Sequence, residues 1–343
     1  MGEGLGRPEP SLAVVVVAYH SGSALARCLG ALREAAPEAE VIVVDNGGAE
    51  ADVGDARWEG LRVVDPGENL GFAAGANRGA AETDRDVLVF LNPDTVATPG
   101  SLQRLASTLE NPEIGIAMAR LRLLDRPELL NSGGTVVHVS GLAWAGRFGE
   151  PADEISALED VAAASGAAFA IRRAMFHELG GFTGALFMYQ EDVELSWRAH
   201  LRGLRVVVDP GADVFHEYEF GRHSTKLALL ERNRVIFVVT AYSGRLLLLL
   251  SPVLALGELA MLALSARGGW FRGKLGGWWW LMSHPRWLAR HRRETQGLRN
   301  VRDRELARFL APRLDPKMTP LPRGTGFLNH LLGRYWSFLQ KAL

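Results

Sequence analysis

Cysteine is nearly absent: Cys28 stands alone in 343 residues, which excludes an internal disulfide and any cysteine-built metal site. Such usage suits a reducing compartment, and a lone thiol of this kind is expected to be buried. A secretory signal is also missing, because residues 1–10 are glycine, proline and charge without a basic start or a cleavage site. Disorder is expected there, and export is not. Net charge is only −1, from 38 Lys+Arg against 39 Asp+Glu, and the cations gather toward the C-terminus, so no nucleic-acid partner is indicated. No internal repeat or low-complexity tract is present. The dinucleotide fingerprint G-x-G-x-x-G does not follow the first apolar run, which argues against a dehydrogenase. Residues 12–22 hold no lysine or arginine, which argues against a nucleotidyltransferase with a basic, glycine-rich signature at its first strand.

What the chain does have is 48% hydrophobic content and length for one large globular domain plus an appendage. Short β-branched runs at 12–18, 41–44 and 87–91 each end in polar residues. Runs that are apolar on both faces predict a parallel sheet covered by helices. Helical spacing fills the intervals at 24–34, 73–81 and 101–109, and strands alternating with helices predict an α/β domain. After Glu110 the pattern loosens, and residues 131–151, rich in glycine and aromatics, read as loops and short strands over a cleft. A strand is expected at 162–171, helices at 172–179 and 192–201, each stopped by glycine, and a last core strand at 205–208. The first domain is expected to span residues 11–225, with a helical region over 226–343.

In open α/β sheets, ligands bind at the carboxyl ends of strands. Those ends carry Tyr19-His20, Asp45-Asn46-Gly47-Gly48 and Asn92-Pro93-Asp94. One strand-end aspartate is more often a turn or cap than a ligand, but three polar strand ends in register point to a site. The segment NLGFAAGAN, residues 69–77, adds a glycine-bearing turn into a helix, where backbone amides would approach a phosphate or a ribose.

The segments VVVVAYHSG, VVDNGG, NLGFAAGAN, VFLNPDT, ASGAAFAIRR, LGGF, FMYQEDVELSWR and VFHEYEFGRHST run in that order through residues 12–233. With them the sequence resembles family 2 glycosyltransferases of the GT-A fold, in the branch of rhamnosyl- and galactofuranosyl-type enzymes. The resemblance implies an α/β fold with a mostly parallel central sheet and a nucleoside-diphosphate sugar, UDP- or dTDP-linked, as donor. It implies that Asp45 accepts a hydrogen bond from the nucleobase, with Tyr19 lining the base pocket and Asn69 and Asn77 shaping the donor site. The alternative for these two is that Asn69 caps the helix and Asn77 faces solvent. Asp94 is implied as the ligand of Mg²⁺ or Mn²⁺, which would neutralise the departing diphosphate. Asn92 stands where many relatives have the first aspartate of a D-x-D motif, leaving the site one charge short. His216 is implied to reach the metal or the diphosphate, against the alternative of a packed core histidine.

The acceptor hydroxyl needs a base, and the resemblance assigns it to Asp192 at a helix start. Glu191 is implied to contact the acceptor or to orient the site, Trp197 to pack and Arg198 to form a salt bridge. A single displacement by an Asp192-activated hydroxyl would invert the anomeric centre. Residues 223–225 would close over the donor, while Arg232 and Arg234 would offset phosphate charge or face a membrane. Residues 131–148 would select the sugar.

Residues 246–264 contain one charge, Glu258, and one proline, Pro252. From Ser265 to Leu310 there are 11 Lys/Arg against 3 Asp/Glu, interleaved with Trp270, Trp278, Trp279, Trp280 and Trp287. Tryptophan and cations together suit an anionic membrane surface. Helices lying on the surface, a span or re-entrant hairpin, and a buried oligomer interface all remain open. The expected activity is sugar transfer to a glycan or polyprenyl-diphosphate-linked acceptor at the cytoplasmic membrane face, with the chain held peripherally. A nucleotidyltransferase, or an inactive membrane-associated scaffold of the same fold, are the alternatives.

Overall fold

The computed structural model describes residues 10–53, 58–217, 224–315, 317 and 324–343. The disorder expected at 1–10 therefore falls, apart from Pro10, outside the described residues. The first half runs β1 (Leu12–Ala18), α1 (Ser23–Ala35), β2 (Glu40–Asp45), α2 (Ala49–Val53), β3 (Leu61–Val64), α3 (Gly71–Ala80), β4 (Val87–Leu91), β5 (Thr95–Ala97), α4 (Ser101–Thr108) and β6 (Ile114–Leu123). Next come β7 (Leu130–Ser132), β8 (Thr135–His138), β9 (Ala143–Ala145), β10 (Glu159–Asp160), β11 (Ala168–Arg172), α5 (Arg173–Glu178), α6 (Glu191–Leu201) and β12 (Arg205–His216). The remainder is helical, with α7 (Ser224–Ala241), α8 (Gly244–Arg267), α9 (Phe271–Ser283), α10 (Pro285–Gly297), α11 (Asp303–Ala307), the short β13 (Leu310–Ala311) and α12 (Thr325–Ala342).

One sheet orders its strands β10-β12-β6-β11-β4-β1-β2-β3, with β5 against β12 and β7 against β6. The β3-β2-β1-β4 half is parallel, as the apolar runs predict, and every residue of β1 and β4 is buried, so both faces are covered. β11 then runs antiparallel to β4 and to β6, while β6 and β12 are parallel to each other. The sheet is thus mixed but mostly parallel.

β6 is a central ten-residue strand where the sequence pattern suggested loosening. Its apolar run is interrupted by Arg120 and Arg122, and both arginines pair with Asp213 across a register shift in β12. The strand expected at 162–171 begins only at Ala168, and the one expected at 205–208 continues to His216.

Glycine governs how α3 meets the sheet. A Cβ at Gly79 would lie 2.4 Å from Val15 Cγ1 and 3.0 Å from Val44 Cγ2, and one at Gly75 would lie 3.0 Å from Val17 Cγ1. With Gly71 these residues repeat every four positions, one face of a helix, so they set a close helix–sheet contact. Cys28 is buried in this core, and burial pushes its thiol pKa up to about 12.

The residues beyond 225 pack as part of the same body. Trp197 and Val193 of α6 share a second core with Phe237, Tyr242, Leu246, Leu250 and Trp336, and β13 pairs with β8. A boundary near 225 therefore divides the sequence but not the packing. Glu258, the one charge in the apolar stretch, faces inward to Arg234, Lys274 and the Trp278 indole.

Crowding by Val15 and Val44 should outweigh the roughly 1 kcal/mol that alanine gains over glycine in a helix. Gly79→Ala is expected to lower stability by about 1–2 kcal/mol, read from the denaturant midpoint. An unchanged midpoint would show that α3 is not held at this distance.

Candidate active site

The carboxyl ends of β1, β2 and β4 meet one edge of the sheet. Asp45 Oδ1 accepts from Gly47 N and Ala49 N, both at 2.8 Å, which fixes the carboxylate at the start of α2. Tyr19 is 55% exposed and its ring lies over Gly47, where an added Cβ would come within 3.1 Å of two ring carbons. His20 stacks edge-on against Tyr19 and sits beside Gly48. Tyr19, Asp45 and the two glycines thus form one open, aromatic-edged surface.

The turn into α3 serves a different purpose from the one its glycines suggest. Leu70 N donates to Asn46 Oδ1, Gly71 N to Asn69 Oδ1 and Ala73 N to the Phe187 carbonyl. Those amides are already bonded within the protein and do not form a phosphate cradle. Asn69 closes a turn over its own backbone, with its Oδ1 on Gly71 N two residues on, while Leu70 is the residue that precedes the helix. Gly71, at φ 73°, is needed because a Cβ would lie 2.4 Å from the Phe187 oxygen. Asn77 fits neither expectation. Its Nδ2 donates to Phe182 O at 2.7 Å and its Oδ1 accepts from Phe182 N at 2.8 Å, bracing α3 against the loop before α6. Asn46, missed by the sequence reading, is buried and ties β2 to this turn.

Asp94 and His216 are brought together. The Asp94 Oδ1 to His216 Nε2 distance is 3.2 Å, and among the described residues the buried Asp94 Oδ1 has no hydrogen-bonding partner. His216 Nδ1 lies 3.0 Å from Asn131 Oδ1, a contact in which Nδ1 donates and Asn131 holds the ring in place. A carboxylate oxygen and an imidazole nitrogen 3.2 Å apart are ligand types that suit a divalent cation. Among the described residues no third histidine, cysteine or carboxylate joins them, so two protein ligands would leave the other positions to diphosphate oxygens and water. The side chain of Asn92 stays half-buried beside them, and its carbonyl accepts from Thr95.

Asp192 and Glu191 open α6, where the helix N-terminus favours negative charge. Asp192 Oδ2 accepts from Gly166 N at 2.8 Å and Oδ1 from its neighbour Val193 N at 2.7 Å. Burial pushes its pKa up, partly offset by those N–H groups. Glu191 is more deeply buried, its Oε2 has no partner among the described residues, and burial followed by the Asp192 charge holds its pKa well above the usual range. Of the two, Asp192 is the less buried and Glu191 the more strongly shifted. The adjoining Ala167 carbonyl accepts from Asn92 N at 2.9 Å, so residues 166 and 167 join Asp192 to the Asn92-Pro93-Asp94 turn.

Other expected residues take structural places. Trp197 is fully buried in the second core. Arg198 pairs with Glu194 at 3.0 Å and donates to the Leu179 and Gly181 carbonyls. Arg232 was expected at the donor, but its Nη2 donates to the Ala185 and Leu186 carbonyls and its Nε to Asn233 Oδ1. Arg234 is 3% exposed and pairs with Glu231 and Glu258, so it is not a free phosphate-binding cation. His223 lies outside the described residues, while Ser224 and Thr225 begin α7. Asn131 and Asn233 were missed as site residues. Asn233 stands between Arg232 and Arg234 in a charged stretch, where nothing local sets it apart from a solvated face.

A family model described as glycosyl transferase family 2 matches residues 13–180. The chain is 29% identical over 265 residues to an N-acetylglucosaminyl-diphospho-decaprenol L-rhamnosyltransferase of Mycobacterium tuberculosis, covering 68% of this chain and 85% of that protein. It is 25% identical over 273 residues to a pre-mycofactocin glycosyltransferase of the same organism, covering 75% of this chain and 56% of the relative. Among solved structures, GalNAc-T7 with UDP, GalNAc and Mn²⁺ superposes at a TM-score of 0.58 with 19% identity, over 68% of this chain and 48% of that one. The fold is the GT-A fold.

A carboxyl whose pKa is raised on folding loses stability as pH rises from the ordinary carboxylate range toward the raised value. Glu191→Gln removes that loss, so the variant should gain stability over the native chain as pH rises above the ordinary carboxylate range toward the raised value, read by thermal unfolding. A difference that does not change with pH would contradict the raised Glu191 pKa.

Proposed function

The chain carries a glycosyl transferase family 2 domain over residues 13–180, and from that premise we propose an inverting transfer of a sugar to a polyprenyl-diphosphate-linked glycan. The donor is a UDP- or dTDP-linked sugar of rhamnose or galactofuranose type. The observation that carries this reading is the union of the Asp94–His216 pair with Asp192 through residues 166 and 167 at one sheet edge.

In this reading the nucleobase rests on Tyr19 beside Asp45, and the diphosphate points to Asp94 and His216. Mg²⁺ or Mn²⁺ held there would neutralise charge on the departing diphosphate. Asp192 takes the proton of the acceptor hydroxyl as its oxygen bonds to the anomeric carbon, and the bond to the diphosphate oxygen breaks on the opposite side. Inversion follows from that single displacement. The raised pKa of Asp192 makes it a better base than an exposed aspartate.

The rhamnosyltransferase relative, named for a decaprenyl-linked substrate, supports a lipid-linked acceptor. The C-terminal helices support a peripheral seat on the cytoplasmic membrane face. α8 is 24 residues of mean hydropathy 2.2 at its most apolar and is largely unburied, long enough at about 1.5 Å per residue to cross or lie in a leaflet. α9 turns Phe271, Leu275, Trp279 and Met282 outward on one face, and α12 exposes Phe327, Leu331 and Phe338. With the excess of arginine around them, these stripes suit an anionic surface.

Asp192→Asn is expected to lower transfer by about 10²-fold or more while nucleotide-sugar binding, followed by calorimetry, stays near the native level. Retained turnover would remove Asp192 from the role of base. In flotation with anionic vesicles, the full chain carrying Leu275→Glu and Trp279→Glu should partition about tenfold less than the native chain. Equal partitioning would sink the membrane role of α9.

A further inference from the structure

Three consecutive side chains of α7 donate into loops that border the catalytic cleft. Asn233 is fully buried, and its Nδ2 donates to the carbonyls of Leu186, Met188 and Tyr189 at 3.0, 2.9 and 2.8 Å. Its Oδ1 accepts from Arg232 Nε at 3.0 Å, which fixes the amide orientation, and Arg232 Nη2 adds bonds to Ala185 O and Leu186 O. Arg234 Nη1 donates to Ser140 O at 2.8 Å, next to Gly141 O, which accepts from Gln190 Nε2.

The loop so gripped is strained. Phe187, Tyr189 and Gln190 have φ of 67°, 72° and 70°, a region that non-glycine residues seldom occupy. Such backbone persists only where its surroundings over-determine it. Here the loop leads directly into Glu191 and Asp192, and its Phe187 carbonyl also accepts from Ala73 at the α3 turn. Relaxation of the loop to ordinary φ would swing the first turn of α6 and with it the Asp192 carboxylate.

We propose that Asn233 is a positioning residue of the transfer reaction: it holds the Phe187–Gln190 loop in its left-handed conformation and thereby aims Asp192. α7 is itself locked to α8 and α9, since Glu231 and Glu258 pair with Arg234 and Lys274. The C-terminal helices and the base are therefore linked through this amide and its arginine neighbours on α7. The inference rests on Asp192 being the base.

Asn233→Asp keeps the shape but sets an oxygen against three carbonyls. With dTDP-rhamnose as donor and a decaprenyl-diphospho-N-acetylglucosamine acceptor, kcat should fall about 10²-fold while the donor KM stays within about threefold. Hydrogen exchange of the amides at 186–192 should quicken, with β1 and β4 unchanged. Thr240→Val, buried on the same helix and with its hydroxyl bonded to its own turn at Ile236 and Phe237, should leave kcat within about twofold. Arg232→Met, at a half-buried position, loosens the same loop through two carbonyls and should lower kcat about tenfold, which keeps the test open if Asn233→Asp does not fold. An unchanged kcat in folded Asn233→Asp, an equal loss in Thr240→Val, or unaltered exchange at 186–192 would overturn the proposal. Failure of the base assignment would instead be seen as an active Asp192→Asn, and the exchange readout does not depend on it.

Discussion

Two hydrogen bonds one residue apart hold the two halves of the site together: Gly166 N–H to Asp192, and Asn92 N–H to the Ala167 carbonyl. They exist because β11 runs antiparallel to β4, pairing Ala168 with Leu91, so that the residues entering β11 lie beside those leaving β4. In a wholly parallel sheet the start of one strand would lie at the opposite edge from the end of its neighbour. The reversed strand β11 is what brings an acidic helix start to an acidic strand end. Register in the sheet core is fixed by burial on both faces, so the juxtaposition is as rigid as the core itself.

Much of the parallel half was legible because its signals are local. β1, β2 and β4 are unbroken apolar runs, and the polar residue after each run is where the sheet delivers it. β6 was not legible, since Arg120 and Arg122 interrupt its pattern and their partner Asp213 is more than 90 residues away. The same distance problem hid Asn131, which meets His216 across 85 residues, and the Asn77 brace to Phe182 across 105. The glycines of α3 were misread for a physical reason. A glycine needed for close packing and one needed for a ligand's approach leave the same mark in a sequence, and only Val15, Val17 and Phe187 in place decide between them.

The C-terminal helices carry two obligations at once. Their outward faces are apolar beyond what a soluble surface commonly shows, while their inward faces hold buried charge. Glu231, Arg234, Glu258 and Lys274 form two carboxylates against two cations, a balanced set whose members would each be costly to bury alone. Such a network contributes little net stability, but it leaves one way for α7, α8 and α9 to fit together. Since α6 shares its core with α7, α8 and α12, the apolar outer layer is a wall of the catalytic body.

The central claim is that a nucleoside-diphosphate sugar reacts at the Asp94–His216 and Asp192 edge. Its most direct test is release of nucleoside diphosphate from a panel of UDP- and dTDP-linked sugars, with Mn²⁺ or with a chelator, in the presence of polyprenyl-diphospho-N-acetylglucosamine. The account predicts acceptor-dependent release from one class of donor that falls away when the metal is chelated. No release from any donor, or release at the same rate under chelation, would contradict it.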